Sequence, residues 1–316
     1  MKIAYLLEDA GCSGGAKVVL EHCNGLQSRG HDVTLFTVTA NNPRDWFPLQ
    51  CRHIVTNTYN GAVDLLRRFD GVKTATWWKT AKTVAESGGR GFYLVQDIET
   101  SYVESDRHRE VLSTYELPLT KLTEALWVKE RLKVCKYIGI GINHDVFKPL
   151  GVKRNQNTIL YNYRNHGLKG PKLFADAVPK LPTDLKVLSF GSDKSGVRRI
   201  KHLGFQREID IAKLYNQASV YVSSSTHEGF CIPIVEAMAC GCPVITTNAD
   251  ANMEFCIDGF NCLVVDRDPA KLAEAIVQVC SNRDLAESLA REGLKTAKKY
   301  RWETVFDNLE RVYSGK

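Results

Sequence analysis

The sequence predicts an α/β protein of two doubly wound halves, each built on a parallel sheet. Three observations carry this. Short apolar, β-branched runs alternate with runs of helical period along the whole chain. The strand-like runs end in glycine-rich or polar loops, the usual place for ligand contacts in an open parallel sheet. After Asn143–Leu150 (NHDVFKPL) the hydrophobic rhythm restarts, as if at a new first strand, Asn157–Tyr163 (NTILYNY). At 316 residues two domains are expected, and 44% hydrophobic with 25% charged residues fits an ordinary soluble globular protein. No short-period repeat points to a solenoid.

In order, Lys2–Leu7 reads as a buried parallel strand, and the loop Glu8–Gly15 leads into a helix over Ala16–Ser28. His31–Val38 is the next strand. The loop does not match G-x-G-x-x-G, but Gly14 and Gly15 permit close backbone approach to a ligand or simply a tight turn. Ala40–Asn60 is loop-rich. A helix near Ala62–Phe69, a strand near Val72–Trp77, a helix near Thr80–Glu86 and a strand at Gly91–Val95 follow. Trp77-Trp78-Lys79 suits a base-stacking platform or core packing, and the preceding strand favours packing. Gln96, Asp97, Ile98 and Glu99 lie at a strand end, where ligands are met. Arg107–Leu122 is expected as helix, Leu126–Val128 as a short strand with helix after it, and Tyr137–Ile142 as a strand.

The second half continues with strand 157–163, helix 170–180, strand 185–190, a short strand near His202–Phe205 and helix 208–218. Ala218–Ser225 (ASVYVSSS) is a strand leaving the sheet. A turn at Gly229 and a helix opening at Pro233 and ended by Gly241 and Pro243 follow, and strand 243–247 completes a βαβ unit. A strand at 263–265 and helices at 269–281, 284–299 and 300–313 close the chain.

The βαβ unit holds Glu228 and Glu236, eight positions apart. A helix that opens at a parallel strand end directs free N–H groups and its positive dipole end at a ligand, and phosphate suits it. The two glutamates repel phosphate and fit neutral hydroxyls flanking it, as on a sugar and a ribose. A helix residue plus a solvated loop residue remains the structural alternative.

The net charge of +6 suits an anionic ligand, an acidic lipid surface or nucleic acid, and the scattered basic residues select none of these. Ten cysteines with no C-x-x-C pair, mostly in strand or helix patterns, read as reduced core residues of an intracellular, cytoplasmic protein. Cys240 and Cys242 near His227 lack a second pair of metal ligands. Glu8 and Asp9 interrupt the N-terminal apolar run too early for a signal peptide, and no window reaches a membrane span; peripheral contact with an inner membrane surface stays open.

Glu228-Gly229-Phe230, Pro233 and Glu236, with Ala237-Met238-Ala239, Gly241 and Pro243-Val244-Ile245 behind them, resemble the E-x7-E signature of the retaining glycosyltransferases of family four. Gly14-Gly15-Ala16 resembles that family's N-terminal glycine loop. Asn143–Pro149 resembles its interdomain segment, Arg164 with Lys169-Gly170 its R-x-x-x-x-K-G phosphate clamp, and Leu203-Gly204-Phe205 its base-side loop.

The resemblance spans nearly the whole chain. It implies the GT-B fold, two Rossmann-like domains facing each other across a cleft. Residues 1–145 would form the acceptor side, joined by the closing helix 301–316, and 146–300 the donor domain. It also implies metal-independent, front-face, retaining transfer from a nucleotide sugar, a UDP- or GDP-sugar, with no further cofactor. Arg164 and Lys169 would neutralise the diphosphate, Glu228 would hold the donor sugar and Glu236 the ribose. The N–H groups of Gly229, Phe230 and Cys231 would lie beside the sugar, Gly204 and Phe205 at the base, and Gly14 and Gly15 over the phosphates.

Two departures bear on the pocket: Cys231 stands where the family commonly has glycine, and Gln96-Asp97 where many members have His-Asp. Gln96, Asp97 and Glu99 are the acceptor-side candidates, with Asp97 a candidate base. Asp266-Arg267-Asp268 reads D-x-D, but Asp268 suits the N-cap of the helix at Pro269 better than a metal.

The resemblance implies a hydroxyl acceptor, on a glycan, a lipid-linked sugar, a small molecule or nucleic acid. Transfer to a modified base, a sugar-phosphate synthase or phosphorylase, and an inactive nucleotide-sugar-binding module are the competing readings.

Overall fold

In the computed structural model, which describes residues 1–315, the chain divides into two compact units. One comprises Met1–Ile140 and the chain from Trp302 onward, the other Gly141–Arg301.

The first unit runs β1 (Lys2–Leu7), α1 (Gly14–Ser28), β2 (Asp32–Thr37), β3 (Arg52–Val55), α2 (Tyr59–Arg67), β4 (Val72–Ala75), α3 (Trp78–Ser87), β5 (Gly91–Leu94), α4 (His108–Thr114), β6 (Thr120–Thr123), α5 (Leu126–Leu132) and β7 (Lys136–Tyr137). The second runs β8 (Thr158–Asn162), α6 (Pro171–Ala177), β9 (Lys186–Phe190), β10 (Ile200–His202), α7 (Glu208–Gln217), β11 (Val220–Ser223), α8 (Ile232–Ala239), β12 (Val244–Thr247), β13 (Leu263–Val265), α9 (Pro269–Ser281) and α10 (Arg283–Ala297). α11 (Trp302–Ser314) returns to the first unit.

Both sheets are parallel. Their orders are β3-β2-β1-β4-β5-β6-β7 and β10-β9-β8-β11-β12-β13. Each winds outward from its first strand in one direction and then in the other. A topological switch point therefore falls between β1 and β4 in one unit and between β8 and β11 in the other, where parallel sheets bind ligands. Buried Ala4, Leu6, Ala75, Tyr93 and Val128 belong to the first core, and Ile159, Tyr161, Phe174, Val222 and Ile276 to the second.

Four expectations are corrected. Arg107–Leu122 is not one helix: α4 ends at Thr114, and Thr120–Thr123 pairs with β5. Pro118 explains the break, since it cannot continue a helix and pushes Leu117 out of the helical region. Leu126–Val128 opens α5 rather than forming a strand, a run too short for its period to distinguish the two. Of the expected strand 137–142 only Tyr137 lies in the paired strand, β7, which begins one residue earlier at Lys136. The loop-rich stretch 40–60 holds an edge strand, β3, whose polar RHIV sequence hides it.

α11 is fixed to its unit by buried contacts. Tyr313 Oη lies 2.9 Å from Tyr5 Oη and 2.8 Å from Thr74 Oγ1. Phe306 packs so closely on α1 that a Cβ on Gly25 would sit 1.9 Å from its ring. In the second unit Arg154 donates to the carbonyls of Tyr215, Ala218, Cys240 and Gly241, satisfying acceptors where α7 and α8 end. Asp268 caps α9 by accepting from the Ala270 and Lys271 N–H groups. Among the described residues no helix is long and apolar enough to cross a membrane.

Candidate functional site

In the second unit the chain leaving β8 crosses the chain leaving β11 at the switch point. Gly170 makes the crossing feasible: its φ is +59°, and a Cβ there would lie 1.9 Å from the Ser224 carbonyl oxygen. Ser224 Oγ donates to Gly170 O at 2.8 Å, Tyr161 Oη lies 3.1 Å from Lys169 O, and Thr226 N donates to Leu168 O at 2.7 Å. These bonds hold the turn that presents Lys169.

Lys169 Nζ then reaches Glu228 Oε2 at 2.7 Å, while Ser225 Oγ donates to Oε1 at 2.6 Å. The Glu228 side chain is 8% exposed and that of Lys169 31%. A carboxylate this buried is costly unless paired and hydrogen-bonded, and here both oxygens are engaged. Arg164 is half-buried on the same loop, two residues beyond β8.

Cys231 precedes α8, Pro233 is its second residue, and Glu236 lies buried in the same helix. Burial, with the Glu228 charge nearby, pushes the Cys231 thiol well above its ordinary range, so it is a neutral filler. Phe230 packs on Phe255 and Tyr300 at centroid distances of 5.0 and 5.4 Å, which fixes the Gly229–Cys231 turn from below. Gly204 O accepts from Gly191 N at 3.1 Å, tying the loop after β10 to the end of β9, and Phe205 is 51% exposed.

Sequence reasoning missed three supports. Ser225 sits three residues before Glu228 in a polar strand end. His227 Nδ1 meets Asp250 Oδ2 at 2.5 Å. Arg267, read only as the middle of D-x-D, donates to the Thr226 and Asn248 carbonyls and so links two strand-end loops. A cavity of about 830 Å³ in this unit, lined by Lys153, Asn157, Leu185 and Val277, opens where β8 and β9 begin, at the opposite edge of the sheet from Lys169 and Glu228.

In the first unit Ser13 caps α1, its Oγ accepting from Ala16 N at 3.1 Å. Gly14 is exposed and Gly15 lies against Gln96. Gln96 Nε2 donates to Gly15 O at 3.1 Å and to Glu124 Oε1 at 2.8 Å. Asp97 accepts from Ile98 N and from Tyr102 Oη, both at 2.6 Å.

Glu99 is placed differently from expectation. It is 1% exposed, and its Oε2 accepts from Trp78 N and Tyr93 Oη, each at 2.7 Å, so the carboxyl anchors its loop to the start of α3 instead of facing a ligand. Burial pushes Glu99 up to about 8. Trp78 is itself buried, as packing requires. Glu124, which no motif marks, is also buried and pushed up to about 8 by burial. Gly14, Gly15, Gln96 and Asp97 thus gather at the strand ends of one unit, and Arg164, Lys169, Gly204, Phe205, Glu228 and Glu236 lie in the other.

Residues 143–296 match the family described as glycosyl transferases group 1, so this stretch is a glycosyltransferase family domain. An uncharacterized glycosyltransferase of Methanocaldococcus jannaschii is 30% identical over 155 residues, 46% of this chain and 44% of that protein. A phosphatidyl-myo-inositol mannosyltransferase of Mycobacterium leprae is 31% identical over 178 residues, 52% of this chain and 48% of that protein. The chain spans about half the length of these curated relatives. Among solved structures, HepE of Anabaena in complex with UDP and glucose superposes with a TM-score of 0.86 at 17% identity, covering 100% of both chains. A sucrose-phosphate synthase from Thermosynechococcus elongatus gives 0.85 at 19%, covering 99% of this chain and 98% of that one. At such identities the likeness carries the fold alone: the chain has the GT-B fold, with two Rossmann-like units.

Proposed function

We propose that the protein is a retaining glycosyltransferase that moves a sugar from a UDP- or GDP-sugar to a hydroxyl acceptor without a metal. The observation that carries the reading is the Lys169–Glu228 pair, 2.7 Å apart at the switch point of the second sheet, just before α8 begins. A cation and a fixed, buried carboxylate side by side suit a ligand that is anionic at one end and rich in hydroxyls at the other.

Arg164, Lys169 and the N–H groups opening α8 stabilise the charge that grows on the diphosphate as the glycosidic C–O bond breaks. Glu228, positioned by Ser225, accepts hydrogen bonds from donor-sugar hydroxyls, with the Gly229, Phe230 and Cys231 backbone beside it. Glu236 receives the ribose hydroxyls, and the Gly204–Phe205 backbone flanks the base. Gly14 and Gly15 supply backbone contacts to the phosphates, and Gln96 and Asp97 take the acceptor side. The acceptor attacks on the face the diphosphate leaves, and the departing phosphate takes its proton. The anomeric configuration is kept and no protein nucleophile is required.

The Mycobacterium leprae relative is named for mannosyl transfer to a phosphatidyl-inositol, and HepE was also solved with UDP-glucose, which supports a nucleotide sugar as donor and a hydroxyl as acceptor. The test uses UDP-glucose and GDP-mannose as probes, following nucleoside diphosphate release together with the anomer of the freed sugar by proton NMR. The α anomer should appear first. The β anomer first would overturn retention, and no release from folded protein with either donor would overturn the use of these donors.

A further inference from the structure

Glu124 stands where β6 ends, and no step above uses it. It is 3% exposed, its Oε1 accepts from Gln96 Nε2 at 2.8 Å, and its Oε2 reaches no hydrogen-bond partner among the described residues. A buried oxygen without a partner is destabilising, so its presence calls for a reason. Burial pushes the Glu124 carboxyl up to about 8, and a neutral acid still presents Oε1 as an acceptor to the Gln96 amide.

The consequence falls on Gln96. Its amide has two hydrogens and one oxygen, and the nitrogen faces two acceptors, Glu124 Oε1 at 2.8 Å and Gly15 O at 3.1 Å. Turning the amide over would set its oxygen against the Gly15 carbonyl, which can only accept, so the nitrogen faces Gly15 and Glu124. Gln96 Oε1 is thereby the outward atom. It lies beside Gly15, where a Cβ would stand 2.9 Å from it, and glycine keeps it uncovered.

We propose that Glu124 is a positioning residue: it locks Gln96 with its oxygen outward, so that this point beside the α1 glycines takes a hydrogen-bond donor, the hydroxyl of a sugar or alcohol. The identity of the ligand rests on the glycosyltransferase reading, whereas the lock on the amide does not.

The test uses the full chain labelled with nitrogen-15, with the Gln96 side-chain amide assigned by its loss in Gln96→Leu. In the wild type both amide protons should exchange more slowly than those of exposed glutamines. In Glu124→Leu one of the two should lose protection, and Glu124→Gln should restore it. Nucleoside diphosphate release from UDP-glucose or GDP-mannose should fall roughly ten-fold in kcat in Glu124→Leu, with donor KM within about two-fold, and recover in Glu124→Gln. The double variant with Gln96→Leu should be no slower than Gln96→Leu alone, because the two residues act as one unit.

Fast exchange of both protons in the wild type overturns the proposal even if Glu124→Leu fails to fold. Additive losses in the double variant, or an unchanged kcat in Glu124→Leu, overturn it as well. A wild type that turns over neither donor speaks against the glycosyltransferase reading instead, and the exchange measurement still decides whether Glu124 locks Gln96.

Discussion

The two units bury their acidic groups in opposite ways. In the second, Glu228 is paired with Lys169 and held by Ser225, so a charge is kept at the strand end with its partner beside it. In the first, Glu99 and Glu124 sit among hydrogen-bond donors that are neutral, Trp78 N, Tyr93 Oη and the Gln96 amide, and burial pushes both carboxyls up to about 8. The first arrangement suits a charge that meets a ligand. The second suits acids that hold loops in place.

Perturbing the crossing at the second switch point should have the largest effect. Gly170→Ala places a side chain at φ +59° and 1.9 Å from the Ser224 carbonyl, so the turn presenting Lys169 must move. A loss of about 3 kcal/mol in urea unfolding is expected, together with loss of donor binding. A variant as stable as the wild type would show that the crossing is not tight.

An effect of intermediate size should come from pH. In the unfolded chain Glu99 and Glu124 titrate near 4.5, and in the folded chain near 8. The folded protein therefore binds more protons between those values, and the stability linked to these groups, complete below pH 4.5, is lost as pH rises to 8. The urea midpoint of the wild type should fall more steeply from pH 5 to 8.5 than that of Glu99→Gln/Glu124→Gln. Parallel curves would contradict the neutral-acid description.

Gly14→Ala should have the smallest effect. Its Cβ would meet nothing within 4 Å, and stability should stay within about 0.5 kcal/mol. If donor turnover nevertheless falls, Gly14 acts through a ligand and not through the fold.

The contrast also explains what was legible in the sequence. Most of the second unit's candidates lie on two contiguous stretches, Arg164–Gly170 and Thr226–Glu236, so glycine, proline and charge at short spacing marked them. The first unit's cluster is assembled from three distant places, Gly15, Gln96 and Glu124, and only folding brings them together. Glu124 in particular reads as an ordinary surface acid before Ala125-Leu126, because burial is not written in its neighbours. The alternation of strands and helices was legible wherever the apolar runs were long. It failed at β3, β6 and α5, where runs of three or four residues fit either period. The junction of the units falls at Ile140/Gly141, where Ile142 bridges to Arg301, a pairing between residues too far apart in sequence to be read locally.

The most direct measurement for the second unit as a donor site is thermal unfolding of the full chain with UDP- and GDP-sugars at 100 times the dissociation constant. One nucleotide class should add about 2.7 kcal/mol of stability to the wild type. Most of that gain should vanish in Lys169→Ala and in Glu228→Ala, each compared with its own unliganded melting temperature. A flat response in folded wild-type protein, or an undiminished gain in Lys169→Ala, would contradict the account.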